Sequence, residues 1–444
     1  MDFHFKKGSI FPRPEISSNI RNFSAIPKPL RSSESISSNT ISSLPPDSSP
    51  KFKLILSRIP HIPNDVASLF HTLYEKETKG RFWLDSARGA PGTGRFSYMG
   101  SASGPHSHMI HYSISKGQIT LTYANGNIDI EKIPSNTTFF HWISKHMLSY
   151  QRLLLPSTSL SQIPLEDYES GTSIQVPFPF RCGVIGYLSY EMGTEAYKAR
   201  GVPGVQVGNP LENSVNVPDV GLIFVDRMII VDHGQGECWV SCLVKVDYDP
   251  LESIKEWINH VHTTIRNLSN SESYLQLSPL PKKQQEEEEE NKERNEKHID
   301  SHPEISCNHH QFNLRDSKPQ YLESIYTLLK SIKSGDAYEL CLTSSFWAIL
   351  PSNHSYSSNL DLYLHLRHRN SAPYAALWED GQTTSIMSSS PERFVQVIDG
   401  CVSMKPIKGT RKRKPFSGDD IDVETVNELY HNEKDRAENL MVFF

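Results

Sequence analysis

The segment "KPIKGT" places Lys408 where a lysine could act as a nucleophile. Only the neutral amine attacks carbon, so such a lysine needs burial or a neighbouring cation that favours loss of its proton. The basic run of residues 411–414 offers such cations if one of its side chains folds inward, although runs of this kind are more often solvated loops. Lys408 is therefore a candidate for covalent catalysis, with an ordinary surface charge as the alternative.

A candidate β-hairpin brings a carboxylate towards that lysine. The stretch "ERFVQVIDGCVSMKPIKGT" contains two β-like runs joined at Asp-Gly, a dipeptide that favours tight hairpin turns. Pairing of Ile398 with Cys401 sets Glu392 opposite Ile407. Glu392 and Lys408 are therefore expected at the same end of one hairpin.

Strict alternation along paired strands puts the side chains of Glu392 and Lys408 on opposite faces. A bulge, or the loss of pairing at Pro406, would let the two side chains converge. A surface ion pair between them, which would contribute little to stability, is the alternative that the spacing leaves open.

The composition is that of a globular chain without a strong overall charge. The 444 residues include 37% hydrophobic residues, enough for at least one large core, and the length predicts two or three domains. A net charge of −6 gives no indication of a nucleic-acid or membrane partner, and no run is long and apolar enough for a membrane helix. A small polar metabolite fits this composition.

The six cysteines lack the spacing of metal or redox sites, and several lie in apolar runs such as "YELCLT" and "CWVSCLVKV". We expect buried free thiols in a reducing compartment. The first fifty residues lack the apolar segment of a secretory signal and include acidic residues. These features favour a cytoplasmic protein over one imported into a plastid or another organelle.

Changes in composition divide the chain into four parts. Residues 1–50 form a Ser- and Pro-rich stretch that predicts a disordered leader. Residues 51–269 contain many strand-like runs and an amphipathic helix over "NDVASLFHTLYEKETKG". Residues 270–316 include five consecutive glutamates and predict an acidic low-complexity insertion. Residues 317–444 form a last part with helices and strands of its own.

Many strands and few helices predict an α+β fold, with a large and mainly antiparallel sheet flanked by helices. In the last part, "YLESIYTLLKSIKSGD", "DLYLHLRHRN" and "VETVNELYHNEKDRAENLM" predict helices, and "AYELCLTSSFWAIL" predicts a strand. The strand candidates before it are "RFWLD", "RFSYMG", "ITLTYA", "NIDIEKI", "GVIGYLSYE", "VGLIFVDRMIIVDH" and "CWVSCLVKVDY".

Four motifs make the last part resemble the chorismate-utilising enzymes, and among them the aminodeoxychorismate synthases. These motifs are "SGDAYELCLT", "SSSPERF", "KPIKGTRKR" and "EKDRAENLM", and they occur in the family's order. Upstream, "FWLDS" and "GYLSYE" resemble the family's N-terminal domain, so residues 51–269 are expected to have the fold of anthranilate synthase component I. Anthranilate synthases usually carry alanine at the position of Lys408, which favours the aminodeoxychorismate synthases.

The resemblance implies amination of chorismate to 4-amino-4-deoxychorismate, on the route to 4-aminobenzoate and folate. Ammonia would come from a glutamine amidotransferase domain or subunit. In the family's mechanism Lys408 would attack C2 of chorismate, and Glu392 would act as the general acid that protonates the departing C4 hydroxyl. Gly409 and Thr410 would approach a substrate carboxylate, the glycine because a side chain would block the backbone there.

The resemblance also implies a metal and a possible second pocket. Glu438 corresponds to a family glutamate that binds Mg²⁺, an ion that one glutamate holds poorly on its own. A solvated charge on a helix is the alternative for Glu438. Ser86, within "FWLDS", corresponds to the stretch that shapes a tryptophan pocket in relatives, with a core or capping role as the alternative.

After "AENLM" the sequence lacks the continuation that the family has, so we expect a C-terminally truncated chorismate-binding domain. An exposed sheet edge and impaired catalysis would follow. The alternatives are an anthranilate or isochorismate synthase, and a non-catalytic fragment that binds the glutaminase partner.

Overall fold

The protein is described by a computed structural model that covers eleven segments of the chain. The predicted leader, residues 1–50, and most of the predicted insertion, residues 270–316, lie outside these segments. The described segments are residues 52–87, 93–154, 165–167, 178–199, 217–245, 248–270, 312–349, 357–398, 400–405, 407–411 and 423–443.

The described residues form strands and helices that confirm the predicted α+β class. The strands are β1 (Phe52–Ile59), β2 (Arg81–Asp85), β3 (Phe96–Ser101), β4 (His108–Ser113), β5 (Gln118–Tyr123), β6 (Ile128–Lys132), β7 (Leu165–Asp167), β8 (Gly183–Leu188), β9 (Val220–Val225), β10 (Arg227–Asp232), β11 (Glu237–Lys245), β12 (Asn313–Leu314), β13 (Phe346–Trp347), β14 (Tyr374–Glu379), β15 (Ser385–Ser390), β16 (Gln396–Ile398) and β17 (Cys401–Ser403). The helices are α1 (Val66–Tyr74), α2 (Phe139–Leu154), α3 (Gly193–Ala199), α4 (Leu251–Ser269), α5 (Lys318–Ser334), α6 (Asn359–Arg369), α7 (Val423–His431) and α8 (Glu433–Phe443).

Two large sheets pack face to face. The first has eight strands in the order β15-β14-β2-β3-β10-β11-β1-β7, antiparallel except for the parallel pair β1 and β7. The second has five antiparallel strands in the order β6-β5-β4-β9-β8. Apolar side chains of both sheets, such as Phe82 and Ile230 from the first and Ile223 and Phe224 from the second, form one core cluster.

Helices cover the other face of the first sheet. Asp65 caps α1 by accepting hydrogen bonds from the backbone N–H groups of Ala67 and Ser68, which fixes the start of the helix. Phe70 of α1 then stacks on the fully buried Trp83 of β2, with ring centroids 5.3 Å apart. Helix α4 adds one apolar stripe to this cluster at helical spacing, formed by Ile254, Ile258, Val261 and Ile265.

The run "VGLIFVDRMIIVDH", predicted as one strand candidate, is two strands in different sheets. The chain passes from β9 to β10 at Asp226, whose carboxylate is fully buried and accepts from His106 N–H and from the Ser107 hydroxyl. Burial raises the pKa of Asp226, and these hydrogen bonds act in the opposite direction. The corner therefore depends on a loop, residues 104–107, that the apolar pattern does not report.

Strands from late in the chain complete the first sheet. β14 pairs with β2 in the register Leu377 opposite Trp83, and β15 pairs with β14. A buried ion pair between Arg81 and Glu379 lies at one end of the β2–β14 pairing. Asn359 donates a further hydrogen bond to Glu379 over 2.9 Å. Residues from both predicted folded parts of the chain thus share one sheet.

The segment around α5 packs much less than the two sheets. Helix α5 starts at a capping box formed by Ser317 and Gln320, but it has no buried residue. The predicted strand over residues 337–350 is wrong for most of its length, because within the described residues 337–349 only Phe346 and Trp347 pair, with the two-residue strand β12. Without sheet neighbours the rest of this run stays irregular.

The cysteine prediction is partly wrong. Cys238 and Cys242 are buried free thiols, and burial raises the pKa of Cys238 to about 12. Cys341 and Cys401 are exposed free thiols, because they lie in the sparsely packed segments of residues 312–349 and 400–405. Within the described segments, no helix combines the length and apolar character needed to cross a membrane.

Replacement of Arg81 by Met should lower the free energy of unfolding by about 3 kcal/mol, because it leaves the buried Glu379 carboxylate without its cation. Denaturant unfolding measures the change. The matched control is Lys255→Met in the exposed ion pair with Glu252, which should cost about 0.5 kcal/mol or less. Equal effects of the two substitutions would contradict this role for the buried pair.

A second prediction concerns the buried imidazole of β4. His108 is stacked on Phe224, and its Nε2 lies 3.1 Å from Nε2 of His146. Burial, followed by the neighbouring His146, lowers the pKa of His108 to about 4. The unfolded chain takes up this proton near pH 6.5, so His108 should destabilise the fold progressively as the pH falls from about 6.5 to 4, by on the order of 3 kcal/mol.

Urea unfolding at several pH values between 4 and 7.5 measures this effect. His108→Gln, which keeps a hydrogen-bonding group towards His146, should flatten the pH dependence in that window. A slope unchanged by the substitution would contradict the assignment.

Candidate functional site

The predicted hairpin is present around residue 400. Ile398 pairs with Cys401, as the Asp-Gly turn predicts, and the strand pairing ends at Gln396 opposite Ser403. Gly400 has φ +77°, a conformation that glycine adopts without strain. Both strands are three residues long, shorter than the runs that the sequence pattern suggested.

Glu392 lies at the open end of this hairpin and holds the returning chain by its backbone. Its carboxylate oxygen Oε1 accepts a hydrogen bond from the Ile407 N–H over 3.0 Å. The Ser390 hydroxyl donates to the Glu392 carbonyl over 2.9 Å, which ties the same segment to the end of β15. Of the alternatives left open by the spacing, a direct ion pair between Glu392 and Lys408 is absent among the described residues.

Lys408 follows directly and lines a groove of about 740 Å³ beside α7 and α8. The lysine is half-buried. The remaining lining residues combine apolar and charged side chains from the two helices: Val426, Leu429, Tyr430, Glu433, Asp435, Arg436, Ala437, Asn439 and Leu440. The groove thus offers an apolar floor with an amine, a guanidinium and carboxylates around it.

Gly409 sits where only glycine fits. Its φ is +72°, and a Cβ built on it would lie 2.7 Å from Cγ of Asp435. Arg411 Nη2 donates to Asp435 Oδ2 over 2.9 Å, so the same carboxylate that contacts the glycine also holds the end of the loop. Asp435 is buried, 8% exposed, which strengthens this ion pair relative to one on the surface.

Asn432 explains why the single helix predicted over "VETVNELYHNEKDRAENLM" is wrong. The Asn432 side chain accepts from the Asp435 N–H over 3.0 Å, which is the pattern of a helix N-cap. A new helix, α8, therefore begins at Glu433, with Glu433 and Asp435 in its first turn, where the helix dipole favours carboxylates. The break turns Asp435 towards the lysine-bearing loop.

Thr410 and Glu438, the other predicted binding residues near Lys408, are not among the residues that line the groove. Thr410 is exposed, and its carbonyl accepts from its neighbour Arg411 over 2.9 Å. Glu438 is half-buried, lies 3.7 Å from the ammonium of Lys434, and is not among the residues that line the groove.

The described residues do not form a Mg²⁺ site. No group of three or more His, Cys, Asp or Glu side chains suited to a metal ion occurs among them. Glu438 alone, with a lysine as its partner, does not provide the several oxygen ligands that Mg²⁺ requires. Glu438 stays a predicted ligand.

Ser86 lies just after β2, far along the strand from Arg81. It is buried, its hydroxyl donates to the Phe96 carbonyl over 2.9 Å, and its N–H donates to the Ser97 hydroxyl. Its neighbour Trp83 is fully buried in the core. These contacts are those of a core residue, and a tryptophan pocket at Ser86 stays a prediction.

Sequence reasoning missed the acidic partner of the lysine-bearing loop. Asp435 stood within a quoted motif, but neither spacing nor charge pattern indicates that it contacts Gly409 and Arg411. The sequence does carry a signal for the helix break, since Asn432 followed three residues later by an acidic residue resembles an N-cap sequence.

Comparison with known proteins gives a consistent set of relatives. A family model described as chorismate binding enzyme matches residues 157–443. An aminodeoxychorismate synthase from Streptomyces pristinaespiralis is 29% identical over 394 residues, which cover 88% of this chain and 45% of the relative. A chloroplastic aminodeoxychorismate synthase from Arabidopsis thaliana is also 29% identical, over 87% of this chain and 37% of the relative.

Two further similarities involve anthranilate synthases. Component 1 from Acinetobacter calcoaceticus is 23% identical over 83% of this chain and 61% of the relative. The crystal structure of component I from Streptococcus pneumoniae superposes with a TM-score of 0.48 at 19% identity, over 80% of this chain and 60% of that chain. The present chain spans less than half the length of the two aminodeoxychorismate synthases.

Replacement of Gly409 by Ala should detach the lysine-bearing loop from α8, because the new methyl group would overlap Asp435. The matched control is Gly400→Ala, since φ +77° gives a similar backbone strain of about 1 kcal/mol but a Cβ there meets nothing within 4 Å. Hydrogen exchange should show faster exchange of the amides of residues 407–411 and 433–443 only in the Gly409 variant. Equal exchange in both variants would contradict the role of this contact.

Proposed function

Because the chain belongs to the family of chorismate-binding enzymes, we propose that it serves the amination of chorismate to 4-amino-4-deoxychorismate. This product class lies on the route to 4-aminobenzoate and folate. Because the chain spans less than half the length of the two aminodeoxychorismate synthases, the activity of those relatives is carried to it here as a proposal.

One observation carries the proposal. Lys408 lines the groove beside α7 and α8, and Glu392 is anchored one residue away, at the backbone of Ile407. An amine and a carboxyl group therefore border the same loop, with apolar surface from Leu429 and Tyr430 to receive a carbocyclic ring. The lysine supports this amination over the anthranilate reaction, for which the resemblance implies alanine at that position.

The proposed chemistry divides one substitution into two steps. The neutral amine of Lys408 forms a bond to C2 of chorismate while the ring double bonds shift and the C4 oxygen leaves as water, protonated by Glu392. Ammonia then adds at C4, the double bonds shift back, and the C2–N bond to Lys408 breaks. Covalent attachment holds the ring in place between the two steps.

The source of ammonia and the compartment form part of the proposal. A glutamine amidotransferase domain or subunit would supply the ammonia, so glutamine should replace ammonium salts once that partner is present. A cytoplasmic location is proposed from the composition of residues 1–50, with a plastid as the alternative because the Arabidopsis relative is named chloroplastic.

Magnesium enters the proposal only as a cofactor implied by the resemblance, with Glu438 as one ligand. No step above depends on it, because the described residues around Glu438 do not form a complete site.

Incubation of the protein with chorismate, ammonium and Mg²⁺, followed by separation of the products, tests the function. We expect 4-amino-4-deoxychorismate as the aminated product, whatever the rate. Lys408→Ala should reduce its formation to the detection limit, and Glu392→Gln should slow it by about 10²–10⁴-fold. Lys53→Ala, at an exposed position in β1, serves as the control.

The identity of the product decides between the candidate functions. Anthranilate as the product, formed equally well by the Lys408→Ala variant, would indicate an anthranilate synthase. Isochorismate without amination would indicate an isochorismate synthase. No product together with no binding of chorismate would contradict the enzymatic proposal and leave the binding of a glutaminase partner as the function to test.

A further inference from the structure

The groove beside Lys408 contains a second cation, Arg436, which has no role in the two chemical steps proposed for Lys408 and Glu392. Arg436 lies on the first turns of α8 and lines the groove together with Lys408. Its side chain is exposed to the groove and to solvent. A guanidinium in such a position suits a planar anion, since its N–H donors match the two oxygens of a carboxylate.

The two acidic residues of the groove do not neutralise this arginine. Asp435, its neighbour in sequence, is buried and bound to Arg411 over 2.9 Å. Glu433 lies three residues before Arg436, a spacing that allows an ion pair on a helix. Among the residues that the structure describes, however, the Arg436 side chain forms no hydrogen bond or ion pair with Glu433 or with any other group.

While Lys408 carries its proton, the charges of the groove lining favour an anion. Once Asp435 is paired with Arg411, the lining retains the cations Lys408 and Arg436 against the single carboxylate of Glu433. When Lys408 reacts as the neutral amine, the charges of Arg436 and Glu433 balance, and the anion-binding group that remains in the lining is the unpaired guanidinium of Arg436. The apolar side chains of Leu429 and Tyr430 stand beside it.

We infer that Arg436 binds a carboxylate group of the substrate while the apolar floor of the groove receives its ring. The ion pair between Asp435 and Arg411 has a positioning role, since it occupies one of the two carboxylates of the groove and holds the loop that carries Lys408 against α8. This inference rests on the proposed function, which supplies the substrate, and it adds a binding residue that neither Lys408 nor Glu392 replaces.

Calorimetric titration of the protein with chorismate tests the inference. Arg436→Gln should weaken binding by about tenfold or more, the loss expected for a hydrogen-bonded charge pair. Arg436→Lys, which keeps the charge but not the fork of donors, should fall in between. Lys434→Gln is the matched control, because this exposed lysine lies on the same helix but does not line the groove.

Two monomethyl esters of chorismate locate the contact. For the ester that blocks the carboxylate bound by Arg436, wild type and Arg436→Gln should bind equally weakly, whereas the other ester should preserve the difference between them. Circular dichroism of each variant confirms that the fold is retained.

The outcomes separate this inference from the proposed function. Tight binding of chorismate by wild type and equally tight binding by Arg436→Gln would overturn the inference and leave the proposed function standing. An equal loss in Lys434→Gln would overturn it as well, because a general effect of helix charge would then suffice. Failure of the wild-type protein to bind chorismate at all would overturn both.

Discussion

The pairing of β2 with β14, closed by the buried ion pair of Arg81 and Glu379, is the constraint on which the arrangement of the chain depends. It joins segments almost three hundred residues apart and requires both charges to be desolvated together. β15 pairs with β14 and leads directly into Ser390 and Glu392. The candidate acid is thus positioned by the same sheet that forms the core beneath α1 and α4.

The elements predicted well from the sequence are those whose causes are local. The hairpin register at Ile398 and Cys401 follows from a dipeptide that tolerates positive φ, and strand β2 follows from its short apolar run. Non-local causes account for the errors. The corner at Asp226 depends on hydrogen bonds from residues 106 and 107, and most of the described part of the predicted strand over residues 337–350 has no strand beside it. Apolar runs report burial, but they do not report which sheet receives a strand.

The candidate site shows the same division. Lys408 and Glu392 were identified from motif and spacing, and their common loop agrees with the hairpin geometry. The roles of Asp435 and Arg436 were not predicted, because they depend on the helix break at Asn432. The break places Asp435 against Gly409 and Arg436 in the groove. The sequence pattern does not show which of two adjacent charged residues is buried and which is exposed. Only the direction of α8 separates a buried structural carboxylate from an available guanidinium.

The way in which the lysine-bearing loop is held has a mechanical consequence. The Glu392 carboxylate accepts a hydrogen bond from the Ile407 N–H, and Asp435 packs against Gly409. Arg411, at the end of the loop, donates a hydrogen bond to Asp435. Within the described part of the chain none of these contacts involves the amine of Lys408, which lines the groove at the end of four methylene groups. The backbone that carries Lys408 is thus held on both sides of the lysine, whereas the amine is held by none of these contacts. Rotation about the side-chain bonds of Lys408 would let the amine approach a carbon atom and move away again without a change in the backbone of residues 407–411.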